Sequence, residues 1–235
     1  MKIKNSRISR RIHLKSYANF FSSRATAFFM TYELETTNCI IRRNGAHTNH
    51  MKEMEQYLIC HCSPTLASIK TANLFSCSFE RQEYFAECIA YWNKQMHPKG
   101  IAVTVLQQKP NWALVYVYRM AQLQKDLQKP GVSCFLEQYG YVDLCVEKVL
   151  EHLQKRIVAS DGFPHEIGIF LDYPLADVIG FIENQGCNCK CSGCWKVYQN
   201  EEDALETFAR YKKCTRIYME LWMQGRSINK LTVSA

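Results

Sequence analysis

The stretch of sequence that decides the fold is residues 101–118, IAVTVLQQKPNWALVYVY. Its two ends, 101–106 and 112–118, are rich in β-branched and aromatic residues, and the polar segment Gln-Gln-Lys-Pro-Asn separates them. Apolar runs on either side of a short turn-forming segment are typical of a β-hairpin. The sequence therefore predicts two antiparallel strands joined by a loop of about five residues.

The regions on both sides of this hairpin mostly predict helices. Residues 80–96 place Tyr84, Cys88 and Trp92 at four-residue intervals, which is typical of one apolar helix face. Residues 201–223 carry acids in the first turn and basic residues in the second half, as the helix dipole favours. Shorter helices are predicted over residues 53–59, 120–128, 132–139, 143–158 and 175–185.

Two further short strands complete the expected fold, which is of the α+β class. Residues 75–79 and 195–198 have strand-forming composition and are predicted to join the hairpin. The result would be a small mixed or antiparallel sheet around the central hairpin. Several helices would pack against this sheet.

The excess of basic residues belongs to one end of the chain. The 235 residues carry a net charge of +7, and the first 30 contain seven Lys and Arg and no acid, whereas residues 51–235 hold 20 basic and 20 acidic residues. We therefore predict two regions. Residues 1–50 are a basic leader, either disordered or the product of a wrongly assigned start, and an organellar targeting segment is the alternative. Residues 51–235 are a single globular α+β domain.

The charge balance also bears on partners and location. A neutral folded region lacks the basic surface that nucleic-acid binding requires, so no nucleic-acid partner is expected. No apolar run approaches the roughly 20 residues that cross a bilayer, so no membrane span is expected. Without a recognisable secretory signal, the protein is predicted to be cytoplasmic.

The segment Ser63-Pro64-Thr65 matches the pattern of a helix start. Ser at the cap and Pro at the first helical position suit the unpaired amides and fixed φ of a first turn, so a new helix is predicted to begin at Ser63. The positive end of that helix would favour a thiolate at Cys62, which makes Cys62 a candidate nucleophile. The same helix start, with Ser63, Thr65 and Lys70, could hold an anion such as phosphate. The alternative is a buried Cys62 beside a structural cap.

A second candidate for chemistry is the pair His165 and Glu166, which follows Pro164 at a junction between a loop and a helix. An imidazole next to a carboxylate can exchange protons near neutral pH, so both residues are candidates for a catalytic acid and base. Adjacent helical residues point about 100° apart, however. Capping and hydrogen bonding within the fold are therefore the alternative.

The cysteines suggest a third kind of site. Four of the 12 lie within one short loop: Cys187, Cys189, Cys191 and Cys194. Thiolates at this spacing can bind a tetrahedral metal ion, and Cys60 with His61 would be the second cluster that a zinc or iron–sulfur site needs. The alternatives are an ordinary loop of reduced thiols and a C-x-x-C redox pair at Cys191 and Cys194.

Several of these segments together resemble a known family. They are HCSPTLA (61–67), KTANLF (70–75), FPHEIG (163–168), DVIGFI (177–182) and WKVY (195–198). Over about residues 55–233 the chain resembles the uncharacterised bacterial family DUF 3793. The resemblance implies a cytoplasmic protein of anaerobic bacteria, folded as one domain, with Met51 as its natural start. It supplies no catalytic residue, and it does not require Cys187, Cys189 or Cys194.

Two classes of function remain open on the sequence. One is a cytosolic protein linked to thiol or metal chemistry, such as a redox or metal-binding accessory, and the sequence does not decide whether it is an enzyme. The other is a non-enzymatic ligand-binding or protein-interaction module with structural cysteines. In either case we expect the site where three segments meet: the predicted helix start after Cys62, the His165 junction, and the loop from Cys191 to Trp195.

Overall fold

The computed structural model of the protein describes residues 49–159 and 163–234. The predicted leader, 1–50, lies outside these ranges except for its last two residues. Within the described ranges, no helix is both long and apolar enough to span a membrane.

The elements alternate between helices and short strands. The helices are α1 (Asn49–Leu66), α2 (Gln82–Met96), α3 (Met120–Leu127), α4 (Val132–Glu137), α5 (Val146–Ala159), α6 (Ile167–Phe170), α7 (Leu175–Glu183), α8 (Glu201–Met223) and α9 (Ile228–Leu231). The strands are β1 (Ala72–Ser78), β2 (Ile101–Lys109), β3 (Trp112–Arg119), β4 (Cys191–Ser192) and β5 (Lys196–Val197). This content confirms the predicted α+β class.

The predicted hairpin supplies the middle and one edge of a three-stranded antiparallel sheet, in the order β1-β3-β2. In its register, Tyr116 of β3 lies opposite Leu74 of β1 and Thr104 of β2. The connection between β2 and β3 is shorter than predicted and consists of Pro110 and Asn111. The reason is that residues 107–109 continue β2 after a register shift, a β-bulge that absorbs one extra residue.

Strand β3 is buried on both faces. Leu114 and Tyr116 pack into one apolar cluster with residues of α3, α5 and α7, whereas Val115 and Val117 pack into another with residues of α1, α2 and α9. The sheet therefore lies between two layers of helices. Burial of both faces explains why the sequence of β3 is an almost unbroken apolar run rather than an alternating one.

The strand predicted at residues 195–198 forms, but it does not join the main sheet as expected. Its residues Lys196 and Val197 pair with Ser192 and Cys191 in a separate two-stranded hairpin. Local composition indicates a strand but carries no information about its partner.

The helix start predicted at Ser63 is wrong, because α1 (Asn49–Leu66) passes through this segment without a break and contains Pro64. The Ser63 hydroxyl donates backward to the carbonyl of Ile59 instead of capping the amides that follow. Pro64 lies near the end of the helix, and α1 packs against both β1 and α8. This packing outweighs the backbone hydrogen bond that proline removes.

Arg119, the last residue of β3, holds the end of α1. It is 5% exposed, and its guanidinium donates from Nε to the Thr65 carbonyl at 2.7 Å and from Nη2 to the Leu66 carbonyl at 3.0 Å. Nη2 also donates to the carbonyl of Val233 at 2.8 Å. A cation at the carbonyl end of a helix is favoured by the helix dipole. One side chain thus ties together the sheet, the end of α1 and the C-terminal segment.

Replacing Arg119 by Met is expected to destabilise the fold by about 3 kcal/mol, because buried carbonyl groups lose their donor while most of the apolar volume is kept. Urea unfolding with linear extrapolation measures the change. The matched control is Lys148→Met, which removes an exposed ion pair with Glu151 and should change the stability by about 0.5 kcal/mol or less. A loss below about 1 kcal/mol for Arg119→Met would show that the contact does not hold the helix end.

Candidate functional site

A cavity of about 440 Å³ lies between the end of α1, the start of β1, the β4–β5 hairpin and the second half of α8. Its volume falls within the range of small-molecule sites. Its lining includes three cations, two thiols and apolar surface: Lys70, Lys212 and Arg216; Cys60 and Cys194; and Pro64, Tyr211, Met219 and Met223. We call it the basic cavity.

Lys70 is the most unusual residue of the basic cavity. It is only 4% exposed, yet no carboxylate of the described residues lies within ion-pair distance of its ammonium group. The ammonium instead faces the rings of Tyr173, at 5.4 Å from the centroid, and Tyr211, at 5.7 Å. Aromatic faces attract a cation, but they compensate a buried charge less than a carboxylate does.

The turn after α1 places Lys70 in the cavity wall. Ser68 adopts a left-handed conformation with φ of 61°, and the Lys70 amide donates to the carbonyl of Pro64 at 3.2 Å. On the other side, the Thr71 hydroxyl donates to the carboxylate of Asp126. The backbone is therefore held both before and after Lys70.

Asn73, at the start of β1, adds polar groups beside Lys70. Its Oδ1 accepts the Thr65 hydroxyl at 2.8 Å, and its Nδ2 donates to no group of the described chain. Asn73 is 4% exposed and lines the basic cavity. Its amide N–H groups are therefore available to a ligand that carries hydrogen-bond acceptors.

His61 contributes a neutral ring to the wall. Its ring packs beside those of Tyr57, at 6.0 Å between centroids, and Phe75, at 5.6 Å, and these two rings also contact each other at 5.6 Å. Burial lowers the pKa of His61 from 6.5 to about 4, because the imidazolium would lose its hydration. At neutral pH the positive charge of the cavity therefore comes from Lys and Arg side chains and not from this imidazole.

Charged residues of α8 form the rim of the basic cavity. Lys212, Arg216 and Glu220 follow at four-residue intervals and line the same cavity. Arg216 pairs with Glu220 at 3.2 Å. With Lys70 included, three cations face a single carboxylate, so the cavity attracts anions.

The β4–β5 hairpin is anchored so that Cys194 lines the basic cavity. Asp177 of α7 is buried and accepts hydrogen bonds from the Trp195 indole at 2.8 Å and from a backbone amide after β5 at 2.8 Å. Gly193 lies directly on the ring of Phe208, because a Cβ at this position would be 2.1 Å from a ring carbon. The close approach of the hairpin to α8 therefore depends on glycine at this position.

The structure places the predicted nucleophile and two predicted anion ligands away from this cavity. Cys62, Ser63 and Thr65 are 0% exposed, and Cys62 packs within the apolar cluster beneath α1. They also lie near the carbonyl end of α1, where the helix dipole disfavours a thiolate or a bound anion. The structural reason for proposing them, a helix start, is absent here. Lys70, the fourth residue of that prediction, does line the basic cavity.

His165 and Glu166 lie elsewhere and contact other residues of the fold. Glu166 is 1% exposed, forms an ion pair with Arg156 and accepts the Tyr141 hydroxyl at 3.3 Å. His165 packs edge-on against Phe181 and lines a separate cavity of about 10 Å³, room for one water molecule at most. Burial lowers the pKa of His165. The contacts of Glu166 match the alternative of hydrogen bonding within the fold, whereas the buried Nδ1 of His165 has no hydrogen-bond partner among the described residues.

The three segments that were expected to meet are neighbours, but they do not form one site. Cys194 lines the basic cavity with Cys60 and His61. Trp195, the next residue of the hairpin, lines the small cavity with His165. The hairpin thus separates the two places rather than joining them.

The cysteine-rich loop does not assemble a metal site in the part of the chain that the structure describes. There, no three His, Cys, Asp or Glu side chains are grouped as a metal ion requires, so Cys187, Cys189, Cys191 and Cys194 form no such group with one another or with Cys60 and His61. Burial, followed by the nearby Glu201, raises the pKa of the Cys191 thiol. A raised thiol pKa at Cys191 disfavours the alternative of a redox pair with Cys194.

Sequence reasoning missed Asn73 and the wall that α8 contributes. A signal for that wall is present, because Tyr211, Thr215, Met219 and Met223 follow at four-residue intervals and so share one helix face. The sequence alone does not distinguish a stripe that faces a cavity from one that faces the core.

These observations define a class of protein: an α+β domain with a small antiparallel sheet between helical layers and a basic, thiol-containing cavity. A family model described as Protein of unknown function (DUF3793) matches residues 58–232, about three quarters of the chain, and the chain belongs to this family. The matched range includes every residue that lines the basic cavity. No curated protein and no solved structure matches the chain.

His61 is expected to make the fold less stable in acid. Its pKa is about 4 in the fold against 6.5 in the unfolded chain, so between these values the unfolded chain binds more protons and stability falls as the pH falls. His61→Phe keeps an aromatic ring beside Tyr57 and Phe75 and should remove this loss. Relative to the unmodified protein, the variant should gain about 2 kcal/mol between neutral pH and about pH 4.5, measured by urea unfolding. An identical pH dependence of the two proteins would contradict a neutral His61.

Proposed function

We propose that this protein binds a small organic anion with an apolar body in the basic cavity. The observation that carries the proposal is Lys70, a lysine with 4% exposure that faces a cavity and has no carboxylate partner among the described residues. A buried charge is costly unless a counter-charge or hydrogen bonds compensate it. An anionic ligand group beside Lys70 would supply that compensation.

The remaining walls indicate what else the ligand carries. Asn73 offers N–H donors beside the ammonium, which suits a carboxylate, sulfonate or phosphate oxygen. Pro64, Met219 and Met223 offer apolar contact, and methionine side chains adapt to ligands of different shape. The combination of one buried cation with mostly apolar walls is typical of sites for organic anions rather than for inorganic ones.

A neighbouring cavity has the opposite balance of charge. It is therefore a poorer candidate for binding an anion than the basic cavity. It has a volume of about 290 Å³ and shares Tyr211 with the basic cavity. Asp172, Asp177 and Asp203 line it, with Arg210 as its one basic lining residue. Three carboxylates beside one guanidinium disfavour an anion there.

Of the two functional classes that the sequence left open, these observations support the non-enzymatic ligand-binding module. A metal-linked role is not supported, because the described ranges contain no cluster of side chains that could bind a metal ion. An acid–base role for His165 and Glu166 is not supported by the cavity that His165 lines, because its volume of about 10 Å³ is too small for a substrate. The cytoplasmic location remains a prediction from the sequence.

The test uses two fluorescent probes that share an aromatic body and differ in charge. Anilinonaphthalenesulfonate carries a sulfonate, and phenylnaphthylamine is its uncharged counterpart. Lys70→Met should weaken binding of the sulfonate about tenfold, the equivalent of one lost charge-assisted hydrogen bond, and leave binding of the uncharged probe within about twofold. Fluorescence titration measures both dissociation constants.

Two further variants control the experiment. Lys70→Arg keeps the charge and should keep most of the sulfonate affinity, whereas Lys125→Met removes an exposed lysine on α3 and should change neither probe. Circular dichroism checks that each variant is folded. Equal weakening of both probes by Lys70→Met, or no weakening of either, would overturn the proposed anion site.

A further inference from the structure

We infer that the basic cavity is also a modification site, where the thiols of Cys60 and Cys194 undergo exchange with small anionic disulfides. The inference rests on the proposed binding of organic anions, because the same cation that holds an anionic ligand would hold an anionic disulfide. It names a chemical class for one set of ligands, namely disulfides that carry carboxylate groups.

The first observation is that two elements far apart in sequence bring a thiol to the same cavity. Cys60 comes from α1 and Cys194 from the β4–β5 hairpin, and both are partly exposed through the cavity. Neither is part of a disulfide. Both cysteines therefore lie within reach of a molecule that occupies the cavity.

The second observation is that buried polar groups of the same cavity point to an anion. Lys70 and Asn73 are each 4% exposed, and both line the cavity with the two cysteines. Lys70 and Cys194 are also connected through Tyr211: the Lys70 ammonium lies 5.7 Å from its ring centroid, and Cys194 is close enough to influence its hydroxyl. A carboxylate held at Lys70 would therefore bring the rest of its molecule to the thiols.

The reaction is thiol–disulfide exchange, and it balances without a further oxidant. The thiol of Cys60 or Cys194 gives its proton to solvent, and the thiolate attacks one sulfur of the bound disulfide. An S–S bond forms between protein and ligand while the S–S bond of the ligand breaks. The protein sulfur is oxidised, and the other half of the ligand is reduced and leaves as a thiolate.

The remaining cysteines serve as internal controls. Cys134, Cys145 and Cys187 are exposed outside the basic cavity, and the Cys145 thiol donates to the carboxylate of Glu147 at 2.6 Å. They can react with disulfides in solution but lack the cavity's cation. Cys77 is buried, and burial raises its pKa to about 12, so it should not react in the folded protein.

The experiment compares an anionic with an uncharged disulfide on the full folded chain. The probes are dithiobis(nitrobenzoate), which carries two carboxylates, and dithiodipyridine, which carries none. Time-resolved labelling followed by peptide mass spectrometry gives a rate constant at each cysteine. The ratio of the anionic to the uncharged rate should be about tenfold higher at Cys60 or Cys194 than at Cys134 and Cys187, and it should fall as salt is added.

Variants assign this preference to the cavity. Lys70→Met should lower the ratio at the cavity thiols to the surface value, Lys70→Arg should keep it high, and Lys125→Met should have no effect at any cysteine. Equal ratios at cavity and surface cysteines, or a high ratio that Lys70→Met does not change, would overturn the inference. If the sulfonate probe still binds in a Lys70-dependent way in that case, the proposed anion site stands and only the thiol exchange fails.

Discussion

The hydrogen bonds from the Arg119 guanidinium to the carbonyl groups at the end of α1 fix the part of the molecule on which the candidate site depends. Arg119 ends β3, and β3 is held by a strand on each side and by apolar clusters on both faces. The guanidinium transfers this rigidity to the turn after Leu66 and to the C-terminal segment at Val233. Burial lowers the pKa of Arg119, but a guanidinium remains charged at neutral pH, so the contact persists.

Arg119 and Lys70 are both buried cations at this end of the sheet, but their surroundings differ. The Arg119 guanidinium donates hydrogen bonds to backbone carbonyl groups, which stabilises the fold. Lys70 faces two aromatic rings and a cavity, and in the proposed function its charge binds the anionic group of a ligand. The turn that Arg119 holds is the one that carries Lys70, so the fold presents a fixed cation rather than a mobile one. Preorganisation of this kind lowers the entropic cost of binding.

The sequence predicts the parts of this fold that depend on local pattern. The hairpin and the long helices α2 and α8 follow from strand composition and from helical periodicity, and these signals agree with the structure. The prediction of a helix start at Ser63 is wrong because the local sequence has the pattern of a helix cap, whereas tertiary packing of α1 determines the conformation. The basic cavity was beyond prediction because its walls come from residues 60–73, from Cys194 and from residues 211–223. Of the residues that line it, Lys70 was predicted to bind an anion, whereas Cys60, His61 and Cys194 were predicted as ligands of a metal site.

The central claim is that Lys70 receives the anionic group of a ligand in the basic cavity. The most direct measurement is a crystal structure of the protein with anilinonaphthalenesulfonate bound. The account predicts the sulfonate within hydrogen-bond distance of Lys70 Nζ, with the Asn73 amide beside it and the aromatic rings against Met219. A probe bound at another place, with the Lys70 ammonium still covered by Tyr173 and Tyr211, would contradict it.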